Sequence, residues 1–235
     1  MPERRFEWLR PDSYRQLKRA APIAYLPWGA HEWHGAHNVL GVDSLKAHRI
    51  CLALAEAAGG IVFPAVYCGY GTMQRYSQDC TLEFPVELIE QMARHYFNQF
   101  MVEGFRVVVA VLGHYGPDHV KAIQRIARWA NEDFAPMRVI AKPDPAWTTP
   151  ELPGDHGAAN ETSYMMHFAP GRVDLSQLPT IEQEPTMDWR AYGIGGLDPR
   201  TNASADRGKR QMDLLIERAV PEILAALDEA SPKKR

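Results

Sequence analysis

Cysteine is scarce in this chain. Cys51, Cys68 and Cys80 are the only three in 235 residues, and no two form a C-x-x-C pair. An odd, unpaired set excludes a disulfide scaffold and a thiolate zinc cage, and points to a reducing, cytoplasmic setting. Long apolar runs are missing as well, so no segment is expected to span a bilayer. The charged start of the chain lacks the apolar stretch of a signal peptide. Charge of one sign is also lacking: 26 basic and 29 acidic residues leave a net charge of -3, spread along the chain. That balance excludes a nucleic-acid-binding stripe and an acidic solvating tail. The one like-charged run, Lys233-Lys234-Arg235, reads as a frayed terminus. What is present is a chain with 46% hydrophobic residues, enough for one buried core, and nine histidines, several of them beside glycines. The expectation is one domain over residues 1–235 with a loop-rich surface excursion at about 170–205.

Hydrophobic periodicity predicts helices over 13–21, 43–58, 85–104, 118–131, 161–168 and 206–229, with Pro221 as a candidate kink. In the second of these, Leu45, His48, Leu52 and Ala55 are read as the shared face. Strands are predicted over 23–26, 61–66 (with Pro64 in its middle), 106–112 and 137–142. The run 106–112, nearly all apolar, is what a strand covered on both faces requires. Strands alternating with helices give an α/β fold, a mostly parallel sheet between two helix layers. In such sheets ligands bind beyond the carboxyl ends of the strands.

Three segments rich in metal-binding side chains fall at those ends. The first is the run 26–37, L-P-W-G-A-H-E-W-H-G-A-H, followed by Gly41-Val42-Asp43. Glu32 and His34 are two apart and leave the same face of extended backbone. Asp43 opens a helix and is alternatively an ordinary N-cap. The second, Gly113-His114-Tyr115-Gly116, follows the strongest strand; His114 is either a ligand or base, or a histidine bonded to a carbonyl in a tight turn. The third, residues 155–163, holds His156 with Asp155 beside it to orient the ring. It also holds Glu161, whose plain alternative is a first-turn carboxylate facing the helix dipole. Together Glu32, His34, Asp43, His114 and Glu161 offer carboxylates and imidazoles without thiolate. Such a set suits Zn, Mn or Fe, and five ligands suffice for two ions about 3.5–4 Å apart bridged by one carboxylate.

These segments resemble the creatininase (creatinine amidohydrolase) family, whose pattern runs roughly L-P-x-G-x-x-E-x-H-G-x-H, G-x-D, N-G-H-G-G-N, H-A-G-x-x-E-T-S. The match extends in order from Leu26 to about Val173. The resemblance implies a three-layer αβα sandwich, a hydrolase using two divalent metal ions, and a closed homo-oligomer, often a hexamer. It places Glu32, Asp43 and His114 on one metal, His34 and Asp43 on the other, and His156 as the catalytic histidine. The chain also departs from the pattern. Leu112 and Pro117 stand where the family has Asn, Gly116 where creatininase has a second-metal Glu, and Ala159 where a Glu is usual. Glu161 is the substitute ligand.

The reading that follows is a metal-dependent hydrolase whose dinuclear site activates a hydroxide against the carbonyl of a small, cyclic substrate, releasing nitrogen. His156 moves the proton, and Tyr70, Tyr115 and Trp147 are candidates to pack a flat ring. An alternative is ring opening of an inositol-derived cyclic diketone such as 3-dehydro-scyllo-inosose, for which Gln74, Arg75, Ser77 and Gln78 offer hydroxyl-binding groups. The alternative of another class is a binding or scaffold protein with a decayed site.

Overall fold

The computed structural model describes residues 2–231; the basic run at 233–235 lies outside them. After a first helix, α1 (Pro11–Ala20), the chain enters β1 (Ile23–Trp28) and passes through α2 (Val42–Ala58) to β2 (Ile61–Val62). It continues through α3 (Val86–Val102), β3 (Val107–Leu112), α4 (Pro117–Asp133), β4 (Arg138–Pro143) and α5 (Ala159–Phe168). Two four-residue helices, α6 (Trp189–Tyr192) and α7 (Pro199–Asn202), precede the long α8 (Ala205–Glu229).

The sheet order is β2-β1-β3-β4, and every pairing is parallel. Side chains alternate between its faces. Ala24, Leu26, Trp28, Val108, Ala110 and Leu112 pack with Ile89, Phe97 and Phe100 of α3 and Ile123, Ala127 and Ala130 of α4. Ile23, Tyr25, Val107, Val109 and Val111 pack with Ile50, Cys51 and Leu54 of α2 and Leu215, Ala219 and Ile223 of α8. This is the αβα sandwich that the resemblance implied. Every β3 residue is fully buried, and each large one contributes about 1.5–3 kcal/mol by leaving water.

Several local expectations need correction. Strand β2 stops at Val62, because Pro64 has no N–H to give to the ladder. The chain still follows β1 beyond it: the Phe63 N–H donates to Tyr25 O and the Val66 N–H to Pro27 O, each at 2.9 Å. The other side of β2 is closed by the chain's start, where the Val62 N–H donates to Arg4 O (2.9 Å) and the Arg4 guanidinium to Gly60 O (3.1 Å). Helix α2 buries Asp43, Lys46, Ala47, Ile50, Cys51, Leu54 and Ala55, so the face read from Leu45, His48 and Leu52 is not the buried one. Leu45 is 40% exposed. Helix α8 runs unbroken through Pro221, which lies on its exposed side, where water can serve the carbonyl left without a donor. Among the described residues no helix is long and apolar enough to cross a membrane.

Because β1 is followed outward by β2 and then inward by β3, the crossovers change sides between β1 and β3. That gap is where loops leaving two adjacent strands part and leave a crevice.

Candidate metal centre

Helix α2 starts in that crevice, pressed against both strand ends. Gly29, just past β1, and Gly113, just past β3, abut the backbone of Asp43 and Ser44 so closely that neither has room for a Cβ. Asp43 is thereby fixed in the first turn, where the helix dipole favours its negative charge. It is not the N-cap: that is Gly41, and no side chain caps the helix.

The five side chains converge around Asp43. His34 Nε2 lies 2.9 Å from Asp43 Oδ1 and 3.3 Å from Glu161 Oε2. His114 Nδ1 lies 2.8 Å from Glu32 Oε2 and 3.3 Å from Asp43 Oδ2. Two ligand-like triads result, Glu32–Asp43–His114 and His34–Asp43–Glu161, sharing one carboxylate. All five residues are buried. The remaining ring nitrogens are engaged by main-chain carbonyls: His34 Nδ1 by Glu32 O and His114 Nε2 by Tyr70 O, each at 3.0 Å. A carbonyl only accepts, so each ring carries one proton there and turns its other nitrogen toward the carboxylates, as a lone pair for an ion or, without one, as the seat of a second proton. Glu32 Oε2, His34 Nε2 and Asp43 Oδ2 have no hydrogen-bond partner among the described residues, although they crowd together. Buried carboxylates that converge on imidazole nitrogens in this way call for positive charge between them, from a metal ion or, without one, from protons on the rings. The all-N/O donor set therefore fits divalent ions of the zinc and manganese kind.

The charges press on one another accordingly. Burial works against an imidazolium at His114, but the Glu32 and Asp43 carboxylates overcome it and hold its pKa up at about 10. His34 is raised likewise, against burial, by Asp43 and Glu161. Burial alone would raise Glu161; Lys46 and His34 bring it down to about 2.

Lys46, which the sequence reading missed, is fully buried one turn beyond Asp43 on α2. Its Nζ donates to Glu161 Oε1 (2.5 Å) and to the Tyr115 hydroxyl, and lies 3.6 Å from Asp144 Oδ2. The Tyr115 hydroxyl in turn donates to Asp144 Oδ1. Burial raises Asp144 to about 6 even with Lys46 beside it. The available signal was the spacing: residues 43 and 46 share a helix face. Asp144, at the end of β4, lay in a proline-rich loop with no such pattern.

His156 stacks on the His34 ring at 4.2 Å and meets Trp189 edge-on at 4.9 Å. Its Nε2–H donates to Trp33 O (3.0 Å), which leaves Nδ1 as the basic nitrogen. Burial, and then the charge on His34, push its pKa below the usual 6.5. Asp155 does not orient this ring as expected. Its carboxylate instead accepts from the backbone N–H of Asn160 (2.6 Å) and Glu161 (3.1 Å), pinning the start of α5.

The centre opens into a cavity of about 480 Å³ walled by Tyr76, Tyr115, His156 and Trp189, with Arg75 at its side. Tyr115 is where the sequence reading expected it. Trp147 is not: it packs in the core under α8, its indole N–H donating to Glu222 Oε2 (2.9 Å). Tyr70 contributes its carbonyl to His114, while its ring lies under the Arg75 guanidinium. Nor is the 170–205 segment a mere surface excursion. Trp189 and Gly195 line the cavity, and Gly195 pairs with His156 through two backbone hydrogen bonds.

The family model described as creatinine amidohydrolase matches residues 9–223. Creatinine amidohydrolase of Pseudomonas putida is 27% identical, over 89% of this chain and 90% of that protein. Among solved structures, creatininase superposes with a TM-score of 0.80 at 22% identity, covering 99% of this chain and 100% of that one. A mutant creatininase of Zn–Zn type gives 0.76 at 22% identity, covering 99% and 100%. A putative creatinine amidohydrolase from Bacteroides fragilis gives 0.74 at 20%, with both chains covered in full. The match spans nearly the whole sequence and the whole sandwich, and the chain belongs to the creatininase family of metal-dependent hydrolases.

Proposed function

We propose that this chain is an amidohydrolase that opens a small, cyclic substrate at a non-peptide C–N bond, with two divalent ions in its centre. Glu32, Asp43 and His114 hold one ion, and His34, Asp43 and Glu161 the other. The observation that carries the reading is Asp43, whose two oxygens each address a different histidine lone pair. When bound, the ions supply a water acidified toward neutrality and a Lewis acid for the substrate's carbonyl.

The chain's own residues supply the rest. His156 is a neutral base at the cavity wall, its proton fixed on Nε2 by Trp33; Nδ1 takes a proton from the attacking water and returns it to the leaving nitrogen. Tyr76, Tyr115 and Trp189 form flat walls suited to a ring and exclude water from it. Gly116, where creatininase has a metal-binding glutamate, has no room for a side chain. A Cβ there would meet Tyr70 O at 2.5 Å and His114 Nε2 at 2.7 Å. Glu161, from α5, brings Oε2 within 3.3 Å of His34 Nε2, which supports its role as substitute ligand.

The rival cyclic-diketone substrate calls for hydroxyl-binding groups. Arg75 is at the cavity, but the Gln74 amide is engaged by Thr81 O and the Gln78 amide by Arg190 O. A closed homo-oligomer, a hexamer, belongs to the same reading; the apolar groove lined by Phe6, Tyr14, Phe63, Met92 and Tyr96 supports it, and a monomer by sedimentation velocity would refute it.

The test is metal content per chain by elemental mass spectrometry, for wild type and Asp43→Ala, followed by cyclic amides and cyclic diketones offered to the loaded protein. Two ions in wild type, both lost in the variant, and ring opening of amides are expected. Metal-free protein that takes up none would return the chain to the scaffold reading. Opening of diketones alone would replace the amide.

A further inference from the structure

Histidines aside, the cavity beside the centre has a single cationic side chain in its wall among the described residues, Arg75. Its Nε–H donates to Glu83 Oε1 (3.2 Å), and its guanidinium lies over the Tyr70 ring, 4.6 Å from the centroid. Glu83 is itself held, its Oε2 accepting the Thr72 N–H (2.7 Å) and the Thr72 hydroxyl (2.6 Å). The next N–H, that of Met73, donates to the metal ligand Glu32 (2.7 Å), which ties the segment bearing Arg75 to the centre. Only Nε is engaged: the two terminal nitrogens have no hydrogen-bond partner among the described residues. One of them stands over the glycines of the cavity wall. A Cβ at Gly71 would meet Arg75 Nη2 at 3.6 Å and the Gly116 Cα at 3.7 Å, and a Cβ at Gly116 would meet His114 Nε2 at 2.7 Å. Two glycines thus separate the guanidinium from a ligand histidine. The acids of the wall are committed elsewhere, Glu32 to the centre and Asp155 to the backbone at the start of α5. Asp118, the other acid close to Arg75, pairs with Lys121 (3.4 Å) in solvent.

We propose that Arg75 is an anion-binding subsite, and that the cyclic amide opened at this centre carries a carboxylate gripped by the two terminal nitrogens of Arg75. The inference rests on the amidohydrolase reading above and narrows its substrate class. A planar carboxylate matches the guanidinium fork, which gives two parallel N–H···O bonds and so fixes orientation. A phosphate, with nearly two charges, calls for more donors than one arginine supplies. Held at Arg75, the carboxylate is kept from the ions, which readily take oxygen ligands, and the amide carbonyl is the group presented to them. Arg75 touches no reacting atom, so it binds ground state and transition state alike. Its loss is read in KM and not in kcat.

The experiment compares two pairs of probes on the metal-loaded protein, each an acid and its uncharged primary amide: 5-oxoproline for a five-membered ring and dihydroorotate for a six-membered one. Calorimetry gives Kd, and KM and kcat are added wherever a ring opens. Wild type should bind at least one acid about tenfold more tightly than its amide, the size of a charge-assisted contact to a half-exposed arginine. Arg75→Gln should abolish that preference by weakening the acid alone, with metal content and kcat unchanged, and Arg75→Lys should restore part of it. Arg190→Gln removes a guanidinium near the outer face of Tyr76 that does not line the cavity, and should leave the preference intact. A preference that survives Arg75→Gln would place the carboxylate on the ions; one that Arg190→Gln reduces equally would make it diffuse charge. Either result, or a wild type that binds neither acid more tightly than its amide, would overturn the inference. Uncharged amides opened as readily as the acids would do so while leaving the amidohydrolase reading intact. An acid preference lost in Arg75→Gln, with cyclic diketones opened and no amide, would keep the subsite and refute that reading instead.

Discussion

Replacing Gly113 by alanine adds one methyl group, and the structure states where it would go. The new Cβ would sit 2.1 Å from Asp43 O and 3.2 Å from the Ala47 Cβ, against 3.4 Å for ordinary contact. Relief therefore needs 3.4 − 2.1 = 1.3 Å of separation between β3's end and the first turn of α2. Whichever side yields, a ligand moves with it: Asp43 if the helix shifts, His114 if the strand end does. Metal–ligand distances hold within about 0.2 Å, so a displacement several times larger costs both pockets their geometry. Gly113 needs no left-handed backbone, so the effect is purely one of space. Overpacking of this kind costs about 1–3 kcal/mol, or roughly 2–12 °C in melting temperature for a chain of this length. Elemental analysis and thermal unfolding of Gly113→Ala would measure the two effects. Gly171→Ala is the control, because its Cβ would meet nothing within 4 Å. A Gly113→Ala protein that melts like wild type and carries the same metal would refute the argument that helix–strand contact sets the centre.

Two further predictions follow from individual histidines. His156→Asn should lower kcat by about 10²–10⁴-fold with metal content unchanged. Glu32, His34 and His156 also fall within ligand distance of one another, so loss of metal in that variant would show the ring to be a ligand rather than a base. His37 is buried, its Nε2 2.9 Å from Thr162 Oγ1; burial, and then the charge on His34, lower its pKa from 6.5 to about 4. The unfolded chain takes up the proton at 6.5 and the folded one only near 4, so His37's contribution is complete above pH 6.5. It is lost as pH falls toward 4, up to about 3 kcal/mol in all. Urea unfolding of metal-free protein across that range should show a shallower decline for His37→Gln, and identical slopes would refute the assignment.

Much of the centre was legible because its residues sit in local patterns. Glu32 and His34 alternate on one segment, Asp43 opens a helix, and His114 follows a run of valines that could only be a buried strand. The parallel sheet and its binding edge came from the same alternation of elements. What stayed hidden depends on packing between distant segments. The buried face of α2 was misjudged because a hydrophobic count treats Asp43 and Lys46 as outward-facing, when charge pairing across the centre holds both inside. Trp147 reads as a cavity wall because it is an aromatic in a proline-rich loop; contact with α8 decides otherwise. Trp189 sits in a segment whose composition says loop, and only its meeting with His156 makes it part of the site.

The start of the chain has a consequence beyond the centre. Strand β2 is two residues long and stands at the border of the sheet, where open N–H and C=O groups would recruit a strand from another molecule. Residues 4 and 5 take that place themselves, through the Arg4 carbonyl and the pairing of Arg5 with Val62. Solubility is thus guarded by a few residues remote from any chemistry. Proteolytic trimming there would leave catalysis untouched at first and expose a template for aggregation.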